Sequence, residues 1–141
     1  MSLSRKAVMC LVASSAATLV AAGAAQAEPG GDGRYYGSIA LNSKSGATGA
    51  AWNYPSWAES DTDALAECGS WDCFVVVRFA DGCGAVSATS DGNWAVGTGS
   101  SRAEAERAAI ANLGPLAPPF PNFGSSAPKS AEILHSACTP E

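Results

Sequence analysis

Residues 68–87 read CGSWDCFVVVRFADGCGAVS, and this stretch decides the architecture. It contains Cys68, Cys73 and Cys83 together with the densest strand-forming run in the chain, Phe74-Val75-Val76-Val77. Asp81-Gly82 marks a tight turn, so Cys73–Ala80 reads as one strand and Cys83–Ala88 as the next. The uninterrupted valines predict a central strand covered on both faces. Further on, Ser90-Asp91-Gly92-Asn93 turns again and Trp94–Thr98 returns, which makes an antiparallel meander of the three strands.

On either side of this stretch the same pattern occurs twice. Ser56-Trp57-Ala58-Glu59 and Ser101-Arg102-Ala103-Glu104 both fit a capping box, in which the serine oxygen accepts from an amide three residues on. The first helix ends at Cys68-Gly69 and the second near Leu113-Gly114-Pro115, where glycine suits a left-handed cap and proline cannot continue the helix. The expected inner faces are Trp57, Ala58, Ala64, Leu65 and Cys68 on the first helix. On the second they are Ala103, Ala109, Ile110 and Leu113. Before the first helix, Ser38–Leu41 and Ala47–Trp52 form a hairpin about Asn42–Gly46. Superposing Ser56 on Ser101 places Ala64 on Ala109, while Gly37-Ser-Ile-Ala matches Gly84-Ala-Val-Ser two residues out of register. The chain therefore reads as a duplicated β-β-α unit with Cys73–Ala80 added between the copies. The fold class is α+β: an antiparallel sheet of about five strands with two helices, in the order β-β-α-β-β-β-α, stabilised by disulfides.

Residues 1–27 stand outside this pattern. Arg5 and Lys6 precede an apolar stretch, Ala7–Ala22, and Ala25-Gln26-Ala27 ends in small residues, which together predict an export signal cleaved after Ala27. Cleavage removes Cys10, Arg5 and Lys6, leaving six basic against thirteen acidic residues and a net charge of −7. A chain this acidic is no phosphate-backbone binder, since nucleic-acid affinity rests on clustered Lys and Arg. No second apolar stretch is long enough to span a bilayer. Residues 28–34 form a glycine-rich, flexible lead-in, 35–114 the α+β domain, and 115–141 a proline-rich extension tied back by Cys138. Within that extension, Leu116–Ser126 reads as an extended surface linker and Pro128–Ala137 as a short helix.

Four cysteines in a small exported chain read as two disulfides with three possible connectivities. Cys68–Cys73, closing a four-residue loop, and Cys83–Cys138, tying the tail to the centre, are the pairing taken here. Little else offers chemistry. His135 is the one histidine, and Gly82-Cys83-Gly84 sets a cysteine where a nucleophile-elbow serine would stand. An enzyme or enzyme inhibitor using Cys83 and His135 is the rival reading, as is a zinc site of Cys68, Cys73 and Cys138 with His135. No catalytic residue, metal or cofactor is assigned. Glu59, Asp61 and Asp63 suit the positive end of the first helix. The aromatic residues Tyr35, Tyr36, Trp52, Tyr54, Trp57, Trp71 and Trp94 are the positive feature, serving as core, interface anchors or sugar platforms. Tyr54, Trp57 and Trp71 are the candidate binding residues.

The blocks Tyr36-Gly-Ser-Ile-Ala, Trp52-Asn-Tyr-Pro-Ser, Ala64-Leu-Ala-Glu-Cys68, Cys73-Phe-Val-Val-Val, Cys83-Gly-Ala-Val and Arg102-Ala-Glu-Ala-Glu resemble an exported bacterial family, domain of unknown function 4189. The resemblance covers about Tyr35–Leu113. It implies a small secreted or envelope-associated protein with structural cysteines and no established activity, in a family some of whose members are discussed as effectors acting on a host. It departs from this chain at Leu113, where the family's second helix usually ends in a cysteine. The expected function is a non-enzymatic binding or effector module for an unknown protein or cell-envelope ligand.

Overall fold

The structure, a computed structural model, describes residues 28–116 and 130–141. The export-signal reading of 1–27 and most of the proline-rich linker lie outside the described residues.

Six strands and two helices follow in the order β1 (Tyr36–Leu41), β2 (Thr48–Tyr54), α1 (Trp57–Cys68), β3 (Phe74–Ala80), β4 (Cys83–Thr89), β5 (Trp94–Gly99), α2 (Arg102–Asn112) and β6 (Ala131–Cys138). They form two three-stranded antiparallel sheets, β2-β1-β3 and β5-β4-β6, rather than one sheet of five strands. The class remains α+β, and the duplication is larger than the sequence reading made it. Each half is a complete β-β-α-β unit whose first strand is central, with the strand after the helix returning to the other side of it. Thus β3 is not an insertion between copies but the last strand of the first half. Its counterpart β6 occupies the segment expected to be a short helix.

The helices cover the outer faces and the sheets pack inner face to inner face, giving four layers. Between α1 and the first sheet lie Ala40, Ala51, Ala64 and Cys68; between α2 and the second sheet lie Cys83, Ala85, Ala105 and Ala109. Both interfaces are built from small residues because the backbones approach closely. A Cβ on Gly49 would stand 2.2 Å from the amide nitrogen of Cys68, and one on Gly97 2.3 Å from that of Ala109. The core between the sheets carries the large side chains: Ile39, Leu41, Val77, Phe79 and Val86, with Trp52, Val96 and Leu134 at its margin. Full burial of Ile39, Leu41 and Val86 contributes about 2 kcal/mol each. The Phe79 ring is wedged between the central strands, against Gly37 of β1 and Gly84 of β4. These are the two glycines that the sequence alignment superposes.

Central position therefore follows side-chain size rather than apolar run length. β1 is buried along almost its whole length, whereas the valine-rich β3 is an edge strand with Phe74 and Arg78 exposed. No ladder joins β3 to β4; Asp81-Gly82 carries the chain from one sheet to the other, with Asp81 at a φ of 47°.

Both helices start as their sequences predict, Ser56 Oγ accepting from the Glu59 amide at 3.3 Å and Ser101 Oγ from the Glu104 amide at 3.2 Å. Gly69 ends α1 in the left-handed region at a φ of 76°. Their inner faces are displaced from expectation: Ser60, Ala64 and Cys68 are the buried residues of α1, and Ala105 and Ala109 those of α2. Trp57 and Leu65 stay partly exposed, and Ala103 is exposed. The sheet selects the narrow stripe its glycines can accept, which excludes the larger side chains. Buried serines complete the stripes. Ser38 and Ser60 share a 2.8 Å hydrogen bond, and Ser87 Oγ donates to the Ala109 carbonyl at 2.7 Å.

Candidate functional sites at the two ends of the sandwich

The structure bridges Cys68 to Cys73, from the end of α1 to the start of β3, and Cys83 to Cys138, directly opposed on β4 and β6. The first pair borders the α1 layer and the second the α2 layer, so the arrangement assembles no three-cysteine, one-histidine cluster. Among the described residues no group of three or more His, Cys, Asp or Glu side chains is placed to hold a metal ion. Nor are Cys83 and His135 brought together. His135 pairs with Val86, three residues along β4 from Cys83, and its Nδ1 lies 3.1 Å from Thr48 Oγ1 on the other sheet.

Burial pushes His135 below its ordinary value near 6.5, while Glu67 on α1 opposes the shift and Arg102 on α2 adds to it. Because the folded state binds that proton less readily, the stability due to neutral His135 is full above about 6.5 and falls as the pH drops toward the folded value. Urea midpoints are expected to decline between pH 7.5 and 5.5, and His135→Asn is expected to flatten that decline. An unchanged slope in the variant would assign the effect to other groups.

The candidate binding residues divide between opposite ends of the molecule. Tyr54 and Trp57 stand at the N-terminus of α1 and Trp71 just beyond its C-terminus, roughly 18 Å away for twelve helical residues. Tyr54 is partly buried, and its hydroxyl donates to Asp63. That bond, with burial and the carboxylates around it, pushes the phenol up to about 12. A cavity of about 610 Å³ adjoins it, with Glu28, Glu59 and Asp63 on its walls. Trp57 faces a separate cavity of about 410 Å³ where β3, β4 and β5 meet α1. Its Nε1 donates to the Phe79 carbonyl at 3.3 Å, and Tyr36 meets it edge to face at 5.0 Å.

Trp71 is 90% exposed. Its loop is nevertheless fixed at several points. The Cys68–Cys73 bridge closes it, and Ser70 Oγ accepts from the Asp72 amide at 3.2 Å and from Asn42 Nδ2 at 3.1 Å. Lys44 pairs with Asp72 at 3.2 Å and lies 5.9 Å from the Trp71 ring centroid. At the same end, Phe74 of β3 and Trp94 of β5 meet edge to face at 5.8 Å across the two sheets, each about two-fifths exposed. Phe74 and Lys44 were not among the sequence-selected residues. The signal for Phe74 was its place at the strand's first position, beside a cysteine.

No helix among the described residues is long and apolar enough to cross a membrane. A family model described as "Domain of unknown function (DUF4189)" matches residues 36–138, from the first residue of β1 to the last of β6. The chain is 39% identical over 79 residues to protein Rv1269c of Mycobacterium tuberculosis, covering 56% of this chain and 61% of that one. It is 42% identical over 79 residues to Rv1813c of the same organism, covering 56% and 53% respectively. These matches thus span between about half and three fifths of the relatives' lengths. The NMR structure of Rv1813c superposes with a TM-score of 0.54 at 28% identity, covering 98% of this chain and 96% of that one. With its six strands, both helices and both bridges inside the matched region, the chain belongs to the DUF4189 family.

Proposed function

We propose that the protein is an exported, non-enzymatic binding module of the effector type. In this reading it engages a protein partner, at the cell envelope or on a host, through the end that carries Trp71, Phe74 and Trp94. The observation that carries this reading is Trp71, a large apolar ring held in water on a loop fastened by a disulfide, two side-chain hydrogen bonds and an ion pair. An indole so placed adds nothing to the core, and rigid, exposed aromatic anchors are what binding hot spots are made of. Two bridges suit an oxidising compartment, and the N-terminal charge and apolar pattern suits export.

The test is site-specific photo-crosslinking on producing cells and on host-cell surfaces, with the crosslinker at position 71 and, for comparison, at the exposed Arg107. A defined protein adduct is expected from 71 and not from 107. Trp71→Ala is expected to weaken binding of that partner by about 30-fold, the equivalent of about 2 kcal/mol at a hot spot, with no loss of fold stability. Equal labelling from both positions, or unchanged affinity in Trp71→Ala, would remove this surface from consideration.

A further inference from the structure

The 410 Å³ cavity at the opposite end differs in chemistry from the Trp71 surface and is independent of it. One wall is the Trp57 indole, 42% exposed and held by its bond to the Phe79 carbonyl and by the Tyr36 ring. The others carry Arg34, Asp81 and Arg78, each arginine paired with a carboxylate, Asp61 standing behind Arg78 outside the lining. Arg34 Nε reaches Asp81 at 3.3 Å; Arg78 grips Asp61 through Nε at 3.0 Å and Nη2 at 2.5 Å. Asp61 is fixed in turn by Ser38 Oγ at 2.5 Å. Both arginine side chains are about half exposed, and the Thr98 and Ser100 side chains lie on the exposed rim.

We propose that this cavity is a carbohydrate subsite that seats a neutral pyranose ring against Trp57. A pyranose offers an apolar C–H face and a belt of hydroxyl groups, each at once donor and acceptor. It therefore suits an aromatic surface flanked by planar polar groups whose directions are already set. The two ion pairs supply that flank. Each guanidinium spends part of its fork on its own carboxylate and keeps other N–H groups toward solvent, while Asp81 on the cavity wall keeps lone pairs for hydroxyl donors. Because each cation faces its own anion, the cavity carries little net field, which disfavours a phosphate or carboxylate and leaves a neutral polyol the better match. The volume falls within the range of small-molecule sites.

The experiment is an NMR titration of the oxidised, ¹⁵N-labelled protein with methyl α-glucopyranoside and methyl β-galactopyranoside, with sodium acetate and phosphate as separate arms. At least one glycoside is expected to move the Trp57 indole N–H resonance saturably, with a Kd on the order of 1 mM, and to leave that of Trp71 in place. The backbone amides of Gly82 and Gly99 on the same wall are expected to shift with it, and Trp57→Leu should abolish their shifts. Since Trp57 also packs against Tyr36, Arg34→Met gives the second reading: a folded spectrum with affinity reduced about tenfold. A Trp57 resonance unmoved by both glycosides, an equal response to acetate or phosphate, or full affinity in Arg34→Met would each overturn the proposal.

Discussion

Replacing Cys83 and Cys138 together with alanine is expected to cost about 4 kcal/mol of stability, against about 2 kcal/mol for the Cys68–Cys73 pair. The contrast comes from the chain each bridge encloses. Cys83 and Cys138 are 55 residues apart and bracket the entire second half, whereas Cys68 and Cys73 are five apart and close only the Trp71 loop. In the chain-entropy account the longer loop removes more freedom from the unfolded chain. The long bridge also fastens β6 to β4 at the end where Thr139 crosses to the first sheet, its amide bonded to the Gly82 carbonyl at 2.8 Å and its hydroxyl to Asn53 at 3.0 Å. Denaturant unfolding of the two double variants measures the difference. Equal losses would show that β6 is held by its ladder and core contacts alone.

Gly97→Val is the second large effect, expected to cost at least about 3 kcal/mol and to shift the thermal midpoint by more than about 10 °C. The new Cβ would fall 2.3 Å from the Ala109 amide nitrogen and 2.5 Å from the Ala105 carbonyl oxygen, both backbone atoms of α2. No rotamer relieves such an overlap, so the helix must lift from the sheet. That movement strains the Ser87–Ala109 bond beneath it and the Asn112 Nδ2 bond to the Val96 carbonyl at its far end. Gly31→Ala, where nothing lies within 4 Å of the added carbon, is the control and is expected to leave stability unchanged. A Gly97→Val protein that melts like the control would mean that α2 rides farther from β5 than described.

Much of this architecture was legible because the local signals were strong. Ser56 and Ser101 announced the helices, Asn42–Gly46 and Ser90–Asn93 the hairpins, and the alignment of Gly37 with Gly84 the duplication. Two of the readings that failed have plain physical reasons. The valines of β3 marked strand but not position, because what places a strand under a helix here is the smallness of residues such as Ser38 and Ala40. Pro128–Ala137 read as a short helix, where β6 stands, because Ala, Glu and Leu favour that state and a register shift opposite Val86 and Ser87 breaks the strand's alternation. The duplication held the missing signal: a second half built like the first requires a partner for β3. At the candidate sites, aromatic character was visible but grouping was not. Phe74 and Trp94 meet only once two sheets are stacked, and Arg34 meets Asp81 across 47 residues.

Each β-β-α-β half has one finished side, roofed by its helix, and one raw side bearing Ile39, Leu41, Val77 and Phe79 in the first half and Val86 and Val96 in the second. Alone in water such a half would expose its largest side chains. A single-copy ancestor of this fold would therefore have been an obligate two-fold homodimer, with its inner faces pressed together. Gene duplication and fusion through a link as short as Asp81-Gly82 would turn that self-association into an intramolecular event, independent of concentration. Freed from symmetry, the two halves could then diverge, the first carrying Trp71 on its bridged loop and Trp57 where the second has Arg102.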